Sequence, residues 1–174
     1  MPARKKGSTG ASWLRRGYRP GPAKKSTMIY SPGKVFVAMA FSETPERSKT
    51  YQAIQRACKH FNLSASRVDE LAGSGNILIR IIDAIEEGEF LIFDVSKEKP
   101  NVYYELGYAH GVGNRPEDIV LIAKKGSKVH FDIMPLRIIF YTSSGDLEKK
   151  LKSEFKQLLV VSRGSKRRPK KAAV

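Results

Sequence analysis

The chain has 174 residues, 41% of them hydrophobic, and a formal net charge of +15, a length that favours a single domain. The charge sits at the ends: residues 1–33 hold eight Lys or Arg and residues 162–174 six more, with no acid in either, while 34–161 hold 18 basic residues against all 17 acids. No apolar run approaches the about 20 residues of a membrane span, and no apolar core follows the basic start as in a signal peptide, so a cytoplasmic protein is expected.

Residues 1–33 mix Gly, Pro, Ser and basic residues and end in Ser31-Pro32-Gly33. Nothing there repeats with a helix or strand period, so a disordered basic tail is predicted. The acid-free, Arg- and Ser-bearing start is also compatible with a transit peptide. Residues 35–41 (VFVAMAF) form a short continuous apolar run, the mark of a strand buried on both faces. A helix is predicted over about 45–61, with Thr44 as a cap, Pro45 at the first helical position, and Tyr51, Ile54, Cys58 and Phe61 on one face. That spacing reads Cys58, the only cysteine, as a buried structural thiol. Alone it allows no intramolecular disulfide and makes no metal site.

Residues 66–70 read as a weak second strand, and 77–87 as a helix with Ile77, Ile81 and Ile85 spaced four apart. Residues 90–93 (FLIF) form another buried strand, running into Asp94-Val95-Ser96. A third helix is expected from Asn101 to about Val112, then strands at 119–123 and 136–141. An amphipathic helix over 145–159 closes the domain, with Leu147, Leu151, Phe155 and Leu158 inward. Residues 162–174 are a second basic tail, which sets the domain at 34–161. Alternating strands and helices imply a parallel sheet wrapped on both faces. Five strands favour the flavodoxin-like, doubly wound α/β order 2-1-3-4-5.

In such a sheet, ligands bind beyond the carboxyl ends of the strands, at the switch point between strands one and three. Met39 and Phe41 end strand one, and Asp94 and Ser96 end strand three. The helix beginning at Asn101 turns its unpaired amides and positive dipole end toward the same crevice. Glu105 falls one turn into that helix, near Tyr104, and Asp69 ends strand two. Each acid also has a structural reading: Glu105 as a complement to the helix dipole, Asp94 as a turn cap, Asp69 as a partner of Arg67 or Arg80. The chain has no GxGxxG and no Walker motif, which disfavours a Rossmann dehydrogenase or a P-loop NTPase. His60 and His130 lack metal-ligand spacing, and His110 is read as a packing or partly exposed histidine. No metal and no cofactor is expected.

The segment DVSKEKPNVYYELGYAHGVG, residues 94–113, resembles the NVxYELGYAHG segment of bacterial proteins related to nucleoside 2-deoxyribosyltransferases, a superfamily that adjoins the NAD-cleaving TIR domains. VFVAMAF resembles the first strand of that group and Arg67-Val68-Asp69-Glu70 its second, and the likeness covers most of residues 34–141. In the transferases the Glu of ELGYA is the nucleophile at the anomeric carbon, and in TIR enzymes a Glu at a comparable place is essential. The resemblance implies that role for Glu105, and for Asp94 a part in holding or protonating the base. Asp69 is implied as a sugar or base contact, with Asn101, Tyr103 and Tyr104 bordering the pocket. The substrate implied is a nucleoside, nucleotide or NAD-like molecule, and related enzymes assemble into homo-oligomers that share sites. The chain departs from the group after strand one, where Met39-Ala40-Phe41-Ser42 replaces a Gly-containing turn. It also shows no counterpart of the acidic C-terminal features that complete the transferase pocket.

Cleaving an N-glycosidic bond builds positive charge on the ribose ring, and a carboxylate beside C1′ stabilises or traps it. An N-glycosidase, hydrolase or transferase, is therefore the expected function. The other expectation is a non-catalytic nucleotide-sensing module delivered to nucleic acid by its tails. Fourteen unopposed charges would release counterions from DNA or RNA, and Trp13 and Tyr18 offer stacking surfaces. The same charge also serves as a solvated, solubilising arm. No amphipathic helix accompanies it, so no membrane-surface role is expected.

Overall fold

The computed structural model describes residues 30–40, 48–70 and 77–164, apart from the side chains of Asp69, Phe131 and 162–164. Both tails as far as residue 29 and from residue 165, with Trp13 and Tyr18, lie outside the described residues. So do Phe41 and the expected Thr44-Pro45 helix start.

Five parallel strands form one sheet in the order β2-β1-β3-β4-β5, the flavodoxin-like order that the alternating pattern predicts. They are β1 (Ser31–Ala38), β2 (Ser64–Arg67), β3 (Gly88–Asp94), β4 (Ile119–Lys124) and β5 (Ile138–Tyr141). Every residue of β3 is buried, because helices cover both faces of a central parallel strand. On one face Val35, Val37, Phe90, Ile92 and Ile122 pack against α1 (Lys49–Lys59) and α4 (Ser144–Gly164). On the other, Phe36, Leu91, Phe93 and Leu121 meet α2 (Ile77–Glu87) and α3 (Pro100–Gly111). No helix among the described residues is long and apolar enough to cross a membrane.

Several boundaries differ from expectation: β1 ends at Ala38 rather than 41, α1 ends at Lys59 rather than 61, β3 opens at Gly88 and β5 at Ile138. Ser31-Pro32-Gly33, assigned above to the tail, opens β1. The register between β1 and β3 shifts between Ser31 and Val35, and Gly33 takes the left-handed φ of 84°. The Gly33 amide donates to Glu89 Oε2 at 2.6 Å. An irregular stretch of strand tolerates a proline that cannot donate to the ladder. β2 spans Ser64–Arg67 rather than 66–70, paired in register with Lys34 through Val37, and Val68–Glu70 is a 3-10 turn. The polar sequence SASR carries little strand signal, so its limits come from pairing with β1. α4 spans Ser144–Gly164, past the expected helix end at 159, although Val160 and Val161 on its last turns are exposed.

The stripe expected on α2 is only partly inward. Ile85 is fully buried, whereas Ile77, Leu78 and Ile79 are exposed, so the first turn stands clear of the sheet. Cys58 is fully buried in the α1–α4 face of the core, and burial pushes its thiol up to about 12. Thiolate is the reactive form. Native protein at pH 8 should therefore leave a disulfide reagent unreacted until denaturant is added. Rapid labelling without denaturant would place Cys58 at the surface instead.

Candidate functional site

The switch point lies between β1 and β3. Ala38 pairs with Phe93 across these strands, so the next residues outward, Met39 and Asp94, stand side by side at the carboxyl rim. Strand alternation sends Asp94 to the face of Met39, the α1–α4 side. Val95 points to the α2–α3 side. Asp94 and the helix that carries Glu105 therefore lie on opposite faces of the sheet.

Asp94 is 8% exposed and well held. Its Oδ1 accepts from the Ser96 amide at 3.0 Å and from Ser96 Oγ at 2.5 Å, and the Tyr141 hydroxyl also bonds to it. Ser96 Oγ accepts in turn from the Lys124 amide at 2.7 Å, tying the ends of β3 and β4 together. Burial raises the Asp94 pKa, and the Ser96 bonds and Lys97 oppose that shift. The turn-capping reading is thus realised in the geometry, beside whatever chemistry Asp94 performs.

Glu105 is different. It is 7% exposed, and among the described residues nothing donates to or pairs with its carboxylate. Burial alone pushes its pKa up to about 7. The helix that carries it buries Val102, Leu106 and Ala109 against the sheet. Tyr108, one turn further, donates to Glu86 of α2, so Glu105 lies on the flank of α3 that faces α2. Lys99 precedes the helix, Pro100 opens it, no side chain caps it and no acid sits in its first turn. Its positive end is left without an internal anion.

The remaining candidates are spread around this rim. Asn101 is exposed in the first turn of α3. Tyr104 is 63% exposed on the outer side of that helix. Asp69 belongs to the 3-10 turn after β2, its side chain lying outside the described residues, and Phe41 lies outside them altogether. Two features were not read from the sequence. Tyr141, ending β5, joins the Asp94–Ser96 group; Ser96 Oγ lies 3.4 Å from its hydroxyl. An aromatic residue with a polar tip at the carboxyl end of a strand was the available signal.

The second feature is Arg67, 1% exposed at the end of β2. Its guanidinium lies 5.0 Å from the Tyr51 ring centre and its Nη1 3.8 Å from Met39 Sδ. Tyr51 donates to Glu70, which also accepts from the Arg67 amide at 3.1 Å. The carboxyl ends of β1 and β2 are thereby cross-linked beneath the crevice. No signal in SASR marks the arginine as buried.

The fold and rim together define a flavodoxin-like α/β protein with one buried carboxylate, Asp94, at the end of β3 and a second, Glu105, on the helix that follows. No protein-family model matches the chain, and no curated protein sequence does. Among solved structures it is similar to a CMP N-glycosidase of Clostridium botulinum, BcmB, at 19% identity and a TM-score of 0.53, covering 69% of this chain and 98% of that one. A diflavin flavoprotein A3 from Nostoc sp. aligns at 12% identity and a TM-score of 0.46, over 75% of this chain and 92% of that one. At these identities the likeness is one of fold.

Proposed function

We propose that the chain is an N-glycosidase acting on a nucleotide, nucleoside or NAD-like substrate, with Glu105 as nucleophile or stabiliser of the oxocarbenium ion. The observation that carries this reading is Glu105, a residue only 7% exposed on the helix after β3, whose carboxylate has no partner among the described residues. Burying a carboxylate without a partner costs stability, and such costs are tolerated chiefly at functional sites. The ELGYA resemblance and the fold likeness to a CMP N-glycosidase support the same chemistry.

In the proposed reaction the bond from C1′ to the base nitrogen breaks, and its electron pair leaves with the base. Asp94, whose pKa is raised, supplies a proton to a base that needs one; nicotinamide leaves NAD already neutral. Glu105 closes on C1′ or stands against its positive charge. Water then adds at C1′, any bond from Glu105 to C1′ breaks with its electron pair returning to the carboxylate, and the water proton passes to Asp94 or solvent, which completes hydrolysis; a second nucleobase in place of water gives transfer. The open end of α3, with Lys97 and Lys99 beside it, suits a 5′-phosphate.

Incubating the protein with a panel of nucleosides, nucleotides and NAD, and following free base by chromatography, tests the proposal. Release from at least one substrate is the expected result. No release from any of them would leave a nucleotide-sensing module as the better account. Homo-oligomer formation and attachment to nucleic acid through the tails belong to the same proposal and are read by sedimentation and by salt-dependent binding.

The pH profile assigns the role of Glu105. A nucleophile or charge stabiliser works as the carboxylate, so kcat/KM should rise with pH through an apparent pKa near 7. A general acid at this position would make it fall over the same range. A nucleoside monophosphate also titrates near pH 6, so its profile is compared with that of the parent nucleoside.

A further inference from the structure

The connection between β4 and β5, residues 125–137, crosses the α3 side of the sheet with one 3-10 turn, Phe131–Ile133, and no helix. A packed helix would fill a strip about 10 Å wide beside α3. The loop does not fill it. A cavity of about 570 Å³ remains, walled by Tyr103, Leu106, Gly107 and His110 of α3 and by His130 and Ile133 of the loop. That volume lies within the roughly 300–1,000 Å³ of small-molecule sites. Tyr103, Gly107 and His110 follow one another at helical spacing on the flank of α3 away from Glu105 and Tyr108. This cavity is therefore separate from the crevice described above.

Its lining is specific in character. A Cβ placed on Gly107 would meet nothing within 4 Å, so the helix surface is open there. The Tyr103 hydroxyl is buried and has no hydrogen-bond partner among the described residues, a state native proteins seldom leave unanswered. Burial lowers the His110 pKa, and a neutral imidazole offers one donor and one acceptor. The Tyr103 and His130 rings meet edge to face at 6.0 Å. Among the described residues no Lys or Arg lines the cavity, and the one carboxylate, Asp132, lies 3.1 Å from His130 Nδ1. Phosphate and other strong ions find no counter-charge in it.

We infer that this cavity binds a neutral, planar heteroaromatic molecule of nucleobase size. The ring faces lie against Leu106, Ile133 and Leu136, and the polar edge meets the Tyr103 hydroxyl and His110. The ligand class follows from the lining alone and does not depend on the glycosidase reading.

Calorimetric titration of the full chain with cytosine, adenine and nicotinamide tests it. At least one should bind saturably. Tyr103→Phe, which removes only the partnerless hydroxyl, should weaken binding about tenfold. Gly107→Leu should abolish it by filling the cavity; leucine is the better helix former, and circular dichroism checks the fold. Glu105→Gln should leave it unchanged. Should the leucine variant misfold, the phenylalanine variant still reads the site. The inference is overturned if none of the three bases saturates, or if binding ignores Tyr103→Phe. It is equally overturned if binding survives Gly107→Leu and vanishes in Glu105→Gln, which would put the base in the other crevice. Base release is scored separately, so either reading can fail without the other.

Discussion

Glu105→Gln should lower base release by about 10²-fold or more, roughly 2.7 kcal/mol at the barrier, while ligand affinity changes far less. The substitution keeps the size and removes the charge that strengthens as the glycosidic bond breaks. Stability should move the other way. The folded pKa of about 7 lies above the ordinary carboxyl value of 4.5, so the folded state holds the proton through a range where the unfolded chain has lost it. Stability is then highest below pH 4.5 with respect to this group and falls as pH rises toward 7. Above pH 7 the buried charge costs about 1–3 kcal/mol, a cost the glutamine variant lacks. Urea unfolding at pH 5 and pH 8 should show a pH slope in the wild type that is reduced in the variant. A variant with full base-releasing activity removes Glu105 from the mechanism. A variant less stable than the wild type at pH 8 removes the claim of a partnerless buried charge.

Phe155→Ala should destabilise the domain by about 3–5 kcal/mol. The side chain is fully buried on α4, with its ring 5.6 Å from Phe90 of β3 and 6.3 Å from Phe61 after α1. Leu151 and Leu147, one and two turns earlier, are equally buried. α4 is thus a wall of the core, and truncating Phe155 opens a cavity between the sheet and both helices of that face. Val161→Ala, on the exposed last turns of α4, should stay within about ±0.5 kcal/mol. Equal denaturation midpoints for the two variants would show that α4 does not hold the domain together.

Periodicity alone determined a good deal of this protein. The apolar runs at 35–41, 90–93 and 119–123 announced doubly buried strands, and their alternation with helical patterns implied the sheet order. That order carried the switch point, the ground on which Asp94 and Glu105 are proposed as its acids. These features are legible because burial on both faces of a strand, or one face of a helix, leaves a pattern in the residues themselves. Tertiary structure decided what no local pattern encodes. β2 takes its limits from pairing with β1, Gly33 begins its strand at an irregularity anchored by Glu89, and Ile77 stays exposed despite its place in a helical stripe. The burial of Arg67 over Tyr51, and the placing of Tyr141 beside Ser96, depend on elements far apart in the chain. The contrast between the two acids is of the same kind. Both are buried, but Asp94 is bonded through a turn and a neighbouring strand, while nothing among the described residues pairs with Glu105. Pairing in three dimensions depends on which groups the fold brings within about 3 Å, and hydrophobic spacing holds no record of that.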